Sequence, residues 1–228
     1  MEVNKNEILR MYELCENFSQ NKADIENILY NILAPSAVKY GKSNSVLIMR
    51  VDHCIQMVDS FNELLSISDC VPNVINNYSC NGEEDKLALK NISFSLLIHD
   101  LCKFENDNDI EHGKRCVCIL DTIHEINLPY YCLFAIANHS EKDIKYYDDM
   151  YKFANIIKDL DILTKAVPER LNAYKEAVIN GEVAGLKKLC KKTIDYRFKN
   201  KKLRKIFLER YADHVYELLE ECEKHNIK

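Results

Sequence analysis

The segment Phe94-Ser95-Leu96-Leu97-Ile98-His99-Asp100 constrains the fold of this chain more than any other. From about Glu83 onward the pattern is helical. From Phe94 to Ile98 it is apolar on every side except at Ser95, as in a central helix covered by neighbours all round. Such a helix needs a shell. Apolar residues at Ile8, Met11, Leu14 and Phe18, then at Ile25, Ile28, Leu29, Ile32 and Leu33, follow the three-and-four spacing of two amphipathic helices, the second closed by Pro35. A third helix carries Val46, Met49, His53, Met57, Phe61 and Leu64 on related faces, which turns His53 toward the core. Further helices are predicted over about 110–125, 129–138 and 149–165. Two or three more lie between Pro168 and the end, separated near Gly181 and Asn200. Residues 66–85 hold Pro72, several Asn and Ser residues and the pair Asn81-Gly82 without period-two alternation, and read as a long loop.

Five glycines and four prolines among 228 residues, with 47% hydrophobic and 29% charged, exclude both a disordered chain and a turn-dense β architecture. The expected fold is all-α: a compact multi-helix bundle with its core at 46–165, an N-terminal helical extension at 1–45 packing on that core, and a C-terminal helical extension at 166–228. A net charge of −5 creates no field that would draw the whole molecule to nucleic acid or an anionic membrane. The start of the chain lacks the pattern of a secretory leader, and no apolar run reaches the roughly 18–20 residues that span a bilayer. These features lead us to expect a cytoplasmic protein without a membrane partner; oligomeric state has no signature here. The ten cysteines are scattered singly with no C-x-x-C pair, and Cys116 and Cys118 would lie about 200° apart on a helix. They are expected to act as small buried hydrophobes.

Five positions interrupt apolar helical surroundings with an acid or an imidazole: His53, His99, Asp100, His139 and Asp161. Burying such groups without partners costs several kcal/mol, so each is hydrogen-bonded, paired or bound to a cation. The His99-Asp100 pair is the centre of the set. Adjacent helical side chains diverge by about 100° and can flank one ion only near a helix end, which is where this pair falls. Mixed nitrogen and oxygen donors suit zinc, manganese, iron or cobalt better than calcium.

His53 in Arg50-Val51-Asp52-His53, the dyad in Leu97-Ile98-His99-Asp100-Leu101-Cys102-Lys103, and Asp161 in Lys158-Asp159-Leu160-Asp161 together resemble the H…HD…D signature of the HD-domain metal-dependent phosphohydrolases. The resemblance covers about residues 46–165. It implies one or two divalent ions, drawn from Mn, Fe, Zn, Co, Ni or Mg. His53, His99, Asp100 and Asp161 would form the first site. His112, beside Gly113, and His139 would hold a second ion, with Asp100 bridging. It further implies hydrolysis of a phosphomonoester or phosphodiester, nucleotide-like, by metal-activated water, with Asp100 and Lys103 as the catalytic residues. Lys103 matches the HD-x-x-K variant, and its ammonium would neutralise charge developing on phosphoryl oxygens. The sequence departs from branches of the family. The alarmone and deoxynucleotide branches usually carry an acid where Lys103 stands, the Gly-Tyr-Pro element of the cyclic-dinucleotide branch is absent after His139, and Cys102 replaces a common glycine.

Plainer readings stand beside these. Lys103 has the plainer reading of a solvated lysine, and His112, among Glu105, Asp107, Asp109 and Glu111, that of surface. Asp159 competes with Asp161 as ligand, or accepts a hydrogen bond from a ligating imidazole. His124, His214 and His225 read as ordinary histidines. Between Lys187 and Arg210, eleven Lys or Arg face two acids, interleaved with Tyr196, Phe198 and Phe207. This is a solvated face or a nucleotide- or nucleic-acid-binding patch. The competing functions are a non-enzymatic HD module that binds a nucleotide or nucleic acid, and a purely structural metal.

Overall fold

Asn4 opens the first helix, α1 (Lys5–Leu14), by accepting the N–H groups of Asn6 and Glu7 at 3.2 and 3.4 Å. That satisfies two donors a helix start leaves bare. The protein, described in a computed structural model over residues 4–72, 82–105, 111–140, 151–182, 184–225 and 227, continues through a 3-10 turn at Cys15–Asn17 into α2 (Phe18–Lys39). Pro35 does not close this helix, contrary to expectation, but lies inside it. Both Pro35 and Asn31, whose carbonyl loses its partner, face solvent, so water satisfies the freed group while Ser36 and Ala37 stay buried.

Helix α3 (Asn44–Leu64) is capped by Ser43, whose Oγ accepts from Val46 N–H. The stretch 66–85, expected as one loop, carries a single-turn helix, α4 (Ile67–Cys70), and the first turn of α5 (Gly82–Ile98); residues 73–81 lie outside the described set. Asp69 Oδ2 accepts from the Ser66 backbone at 2.8 Å, a capping interaction that the Asn and Ser content hid. Then follow α6 (His112–Leu120), α7 (Tyr130–Asn138) and α8 (Tyr151–Lys165). Helix α6 ends five residues before the expected boundary because Thr122 Oγ1 takes the Ile119 carbonyl at 2.7 Å and the chain turns. The C-terminal part holds four helices rather than two or three: α9 (Pro168–Ile179), α10 (Leu186–Ile194), α11 (Lys201–Arg210) and α12 (Ala212–Lys224).

Among the described residues every regular element is a helix. Helix α5 is the axis: each residue from Asn91 to Ile98 is buried, with α1, α2, α3, α4 and α7 packed around it. Two of its polar members are bonded, since Ser95 donates to its own helix at Asn91 O (2.7 Å) and Tyr12 of α1 donates to Asn91 Oδ1 (3.0 Å), whereas Ser93 Oγ has no hydrogen-bond partner. Helix α8 crosses α3 and α7, α6 lies on α7, and α9 to α11 pack against α8. Eight of the nine described cysteines are buried and none is in a disulfide; Cys118 is exposed while Cys116 is covered, as their helical angle requires. No helix among the described residues is long and apolar enough to cross a membrane.

Candidate metal centre

The ends of the core helices meet at one point. α3 contributes His53 from its middle, and α5 hands over His99 and Asp100 in the turn just beyond Ile98. His112 is the first residue of α6, His139 follows the last residue of α7, and Asp161 lies on α8. All four imidazoles and Asp100 are buried, at 5% exposure or less. The acids around His112 therefore did not make it surface: Glu111 is exposed, His112 is 1% exposed, and Asp107 and Asp109 lie outside the described residues. His124 and His225 are exposed.

Three imidazoles are fixed in the same tautomer. His99 and His139 donate Nδ1–H to the carbonyls of Leu96 and Ile136, both at 2.8 Å. Thr164 places its one hydroxyl hydrogen on Leu160 O (2.9 Å), so its oxygen accepts Nδ1–H of His53 at 3.2 Å. Each ring thus presents the lone pair of Nε2, the arrangement that orients imidazole ligands of metal ions. The rings stack edge to face in the order His53, His99, His139, His112, with centroids 5.5, 5.0 and 4.8 Å apart.

Asp100 divides these nitrogens into two sets. Its Oδ2 faces His99 Nε2 at 3.8 Å and His53 Nε2 at 4.0 Å, while Oδ1 faces His112 Nε2 at 2.9 Å and His139 Nε2 at 3.6 Å. Asp161 Oδ1 joins the first set, 2.9 Å from His53 Nε2. That approach lacks the direction of a hydrogen bond: His53 Nε2, His99 Nε2 and Asp161 Oδ1 are all buried without a hydrogen-bond partner. Three orphaned positions that converge on one volume form a group that could hold a cation. Ligand atoms His53, His99, Asp100 and Asp161 lie within 4.8 Å of one another, as do those of Asp100, His112 and His139. A cation with bonds of about 2.0–2.2 Å separates neighbouring ligands by roughly 3 Å and opposed ligands by roughly 4 Å, so the residues fit a divalent ion at each set.

The electrostatics match this donor set. Burial, followed by the nearby Arg170 charge, lowers the His53 pKa well below its ordinary value, and burial lowers His99 to about 4, so both rings are neutral near pH 7. Burial alone would raise the Asp100 carboxyl. Arg50, His99, His112 and His139 overcome it and hold Asp100 well below the usual carboxylate range. Asp161 behaves alike: burial pushes it up, but Lys165 and His53 bring it well below.

Sequence reasoning missed four residues here. Arg50 Nη1 donates to Asp100 Oδ2, and Lys165 Nζ sits 2.5 Å from Asp161 Oδ2. Their signals were one helical turn away from the ligands, at three before His53 and four after Asp161. Thr164 carried the weaker signal of a hydroxyl on an apolar face. Arg170, on α9, had none. Lys103 is half-buried and lines a cleft of about 480 Å³ together with Arg50 and Arg170, so it faces a cavity rather than open solvent.

Asp159 faces the other way and receives no imidazole hydrogen. Its carboxylate accepts from Tyr196 OH (2.8 Å), Lys199 N–H (2.9 Å) and Asn200 N–H (2.6 Å), fastening the turn before α11 onto α8. In the basic stretch Phe198 and Phe207 are buried against each other, with centroids 5.2 Å apart, so these two rings are core while most of the cations are exposed. Lys187 pairs with Glu223 and Arg210 with Glu63. Comparisons of this chain with known protein families, with curated proteins and with solved structures find no match.

Proposed function

We propose that this protein is a divalent-cation-dependent phosphohydrolase of the HD type, acting on a small, nucleotide-like phosphoester. The observation that carries the reading is Asp100, a buried carboxylate whose two oxygens face two separate sets of imidazole nitrogens, one of them, His53 and His99, without hydrogen-bond partners. A closed structural site would complete its shell with protein atoms, whereas Asp100, His112 and His139 supply three donors and leave positions for water and substrate. Divalent cations bound there would lower the pKa of a water toward neutrality and withdraw charge from phosphoryl oxygens. The chain's own residues do the rest. His53, His99 and His139, tethered through Nδ1, would hold the cations without reorganisation, and Arg50 keeps Asp100 ionised and oriented. Lys103, at the cleft, neutralises charge that develops on the phosphoryl group as the water oxygen bonds to phosphorus and the ester oxygen departs with a proton.

Elemental analysis of the purified protein and assays of nitrophenyl phosphates and a nucleotide panel with added manganese test this reading. The expected results are up to two ions per chain, turnover by wild type, and loss of both metal and turnover in His99→Ala. A wild-type protein without metal and inactive across Mn, Fe, Co, Ni, Zn and Mg refutes it. Turnover that survives in His99→Ala does the same.

A further inference from the structure

Beside the metal centre, the 480 Å³ cleft brings Lys42, Arg50, Lys103 and Arg170 together over walls that include Phe104 and Tyr174. Two of its walls come from beyond the HD-like core. Tyr174 of α9 donates to Ala184 O at 2.9 Å, and Glu182, the one acid of the lining, accepts from Ser43 and Ser45 at the start of α3. Four cations line the cleft against the one acid Glu182, which leaves it positive even with Arg50 paired to Asp100.

Arg170 makes this more than a charged surface. Its Nη1 is fully buried and has no hydrogen-bond partner. Burial and the Arg50 charge disfavour the charged form of Arg170, while the carboxylates of Asp161 and Asp100 favour it. A buried donor left without an acceptor is destabilising, and a ligand oxygen would satisfy it. Arg50 spans both regions: it donates to Asp100 on the metal side and lines the cleft on the other. A phosphoryl group at the metal centre would therefore continue into this cleft.

We propose that the cleft binds the second and later phosphates of a linear polyphosphate, with Arg170 as a substrate-binding residue, so that the substrate carries a phosphoanhydride rather than a lone phosphoester. The inference rests on the phosphohydrolase reading for its connection to turnover, but not for the binding itself. Planar guanidinium groups pair with phosphate oxygens in bidentate fashion, and two of them flank a chain of phosphates better than a single tetrahedral anion.

Calorimetric titration of the full chain with inorganic tripolyphosphate and with orthophosphate, in wild type and Arg170→Gln, tests the proposal. Wild type is expected to bind tripolyphosphate roughly tenfold or more tighter than orthophosphate, and Arg170→Gln to lose about that factor for tripolyphosphate. Ligand-free Arg170→Gln should melt close to the wild-type temperature, because it removes an N–H group that has no hydrogen-bond partner; a scaffold role for Arg170 predicts a clearly lower one. If that variant fails to fold, Lys103→Gln substitutes for it, with the same expected loss. Equal affinity for the two anions, or an Arg170→Gln variant that binds like wild type, overturns the proposal. Adenosine triphosphate binding tighter than tripolyphosphate assigns the chain to a nucleotide, and equal binding to inorganic polyphosphate; each outcome supports the cleft. A protein without metal that still binds tripolyphosphate through Arg170 supports this proposal and removes the phosphohydrolase reading. A metal-loaded, active protein indifferent to tripolyphosphate does the reverse.

Discussion

Gly113 sets how closely α6 and α7 approach, and replacing it by alanine should damage half of the metal centre without touching a ligand. A Cβ at this position would fall inside the contact distance of Ile136 O and 3.1 Å from Ala137 O. Both are backbone atoms of α7, so no side chain can turn aside. The helices must part by roughly an ångström before carbon and carbonyl oxygen reach an ordinary separation. Two terms compete. Alanine favours the helix by about 1 kcal/mol over glycine, while forcing extra volume between packed backbones costs about 1–3 kcal/mol or more. With the second term taken at its upper end, the net loss is about 2 kcal/mol, or a melting temperature lowered by about 4–8 °C in a chain of this length. The functional effect should be larger, because His112 precedes Gly113 and His139 closes α7. Their Nε2 atoms, now 3.0 Å apart, would separate by much of that ångström. Thermal melts combined with metal stoichiometry measure both. Gly113→Ala is expected to melt lower and to lose the cation at Asp100, His112 and His139 while keeping that at His53, His99 and Asp161. Unchanged melting with full stoichiometry would refute the reasoning, since it would mean that this helix contact does not position the ligands.

Asp159→Asn should leave metal content intact yet cost about 1–3 kcal/mol, because an amide nitrogen would replace an acceptor facing the N–H groups of Lys199 and Asn200; Asp161→Asn should lose metal, and equal metal loss in both variants would void the distinction. In protein stripped by a chelator, stability should fall as pH drops from 6.5 toward about 4: folded His99 resists protonation down to about 4 while the unfolded chain binds its proton first, so the contribution is complete above 6.5 and lost below. The shift corresponds to about 3 kcal/mol at most, and denaturant titrations showing flat stability across that window would contradict it.

Five of the six candidate ligand positions could be read from the sequence because each puts a polar group where an amphipathic or buried helix wants an apolar one; His112, set among acids, came only from the resemblance. His53 interrupts the inward face of α3, and His99-Asp100 ends an otherwise apolar run. The partners that tune those ligands could not be read the same way. Arg50 and Lys165 look like ordinary surface charges in one dimension, and only the convergence of α3, α5 and α8 turns them inward. Arg170 depends on how α9 docks against α3, a tertiary outcome with no local pattern. The misplaced boundaries have the same origin: Pro35 stays helical because its disrupted carbonyl faces water, and Asp69 caps a turn inside a stretch whose composition reads as loop.

The buried cysteines bear on which ions this centre would accept. Cys54 follows His53, Cys102 stands two residues past Asp100, and Cys116 lies one helical turn from His112, donating to Ile98 O at 3.1 Å. Burial pushes the Cys54 thiol up to about 12 and raises Cys116 well above its ordinary value, so neither is a thiolate at neutral pH. A thiophilic ion entering the bundle would meet imidazole and carboxylate, since no cysteine belongs to either group of candidate ligands among the described residues. The nearby sulfurs thus stay protonated and outside the donor set, and the imidazole and carboxylate groups that converge here suit borderline and harder divalent ions better than cadmium or cuprous copper.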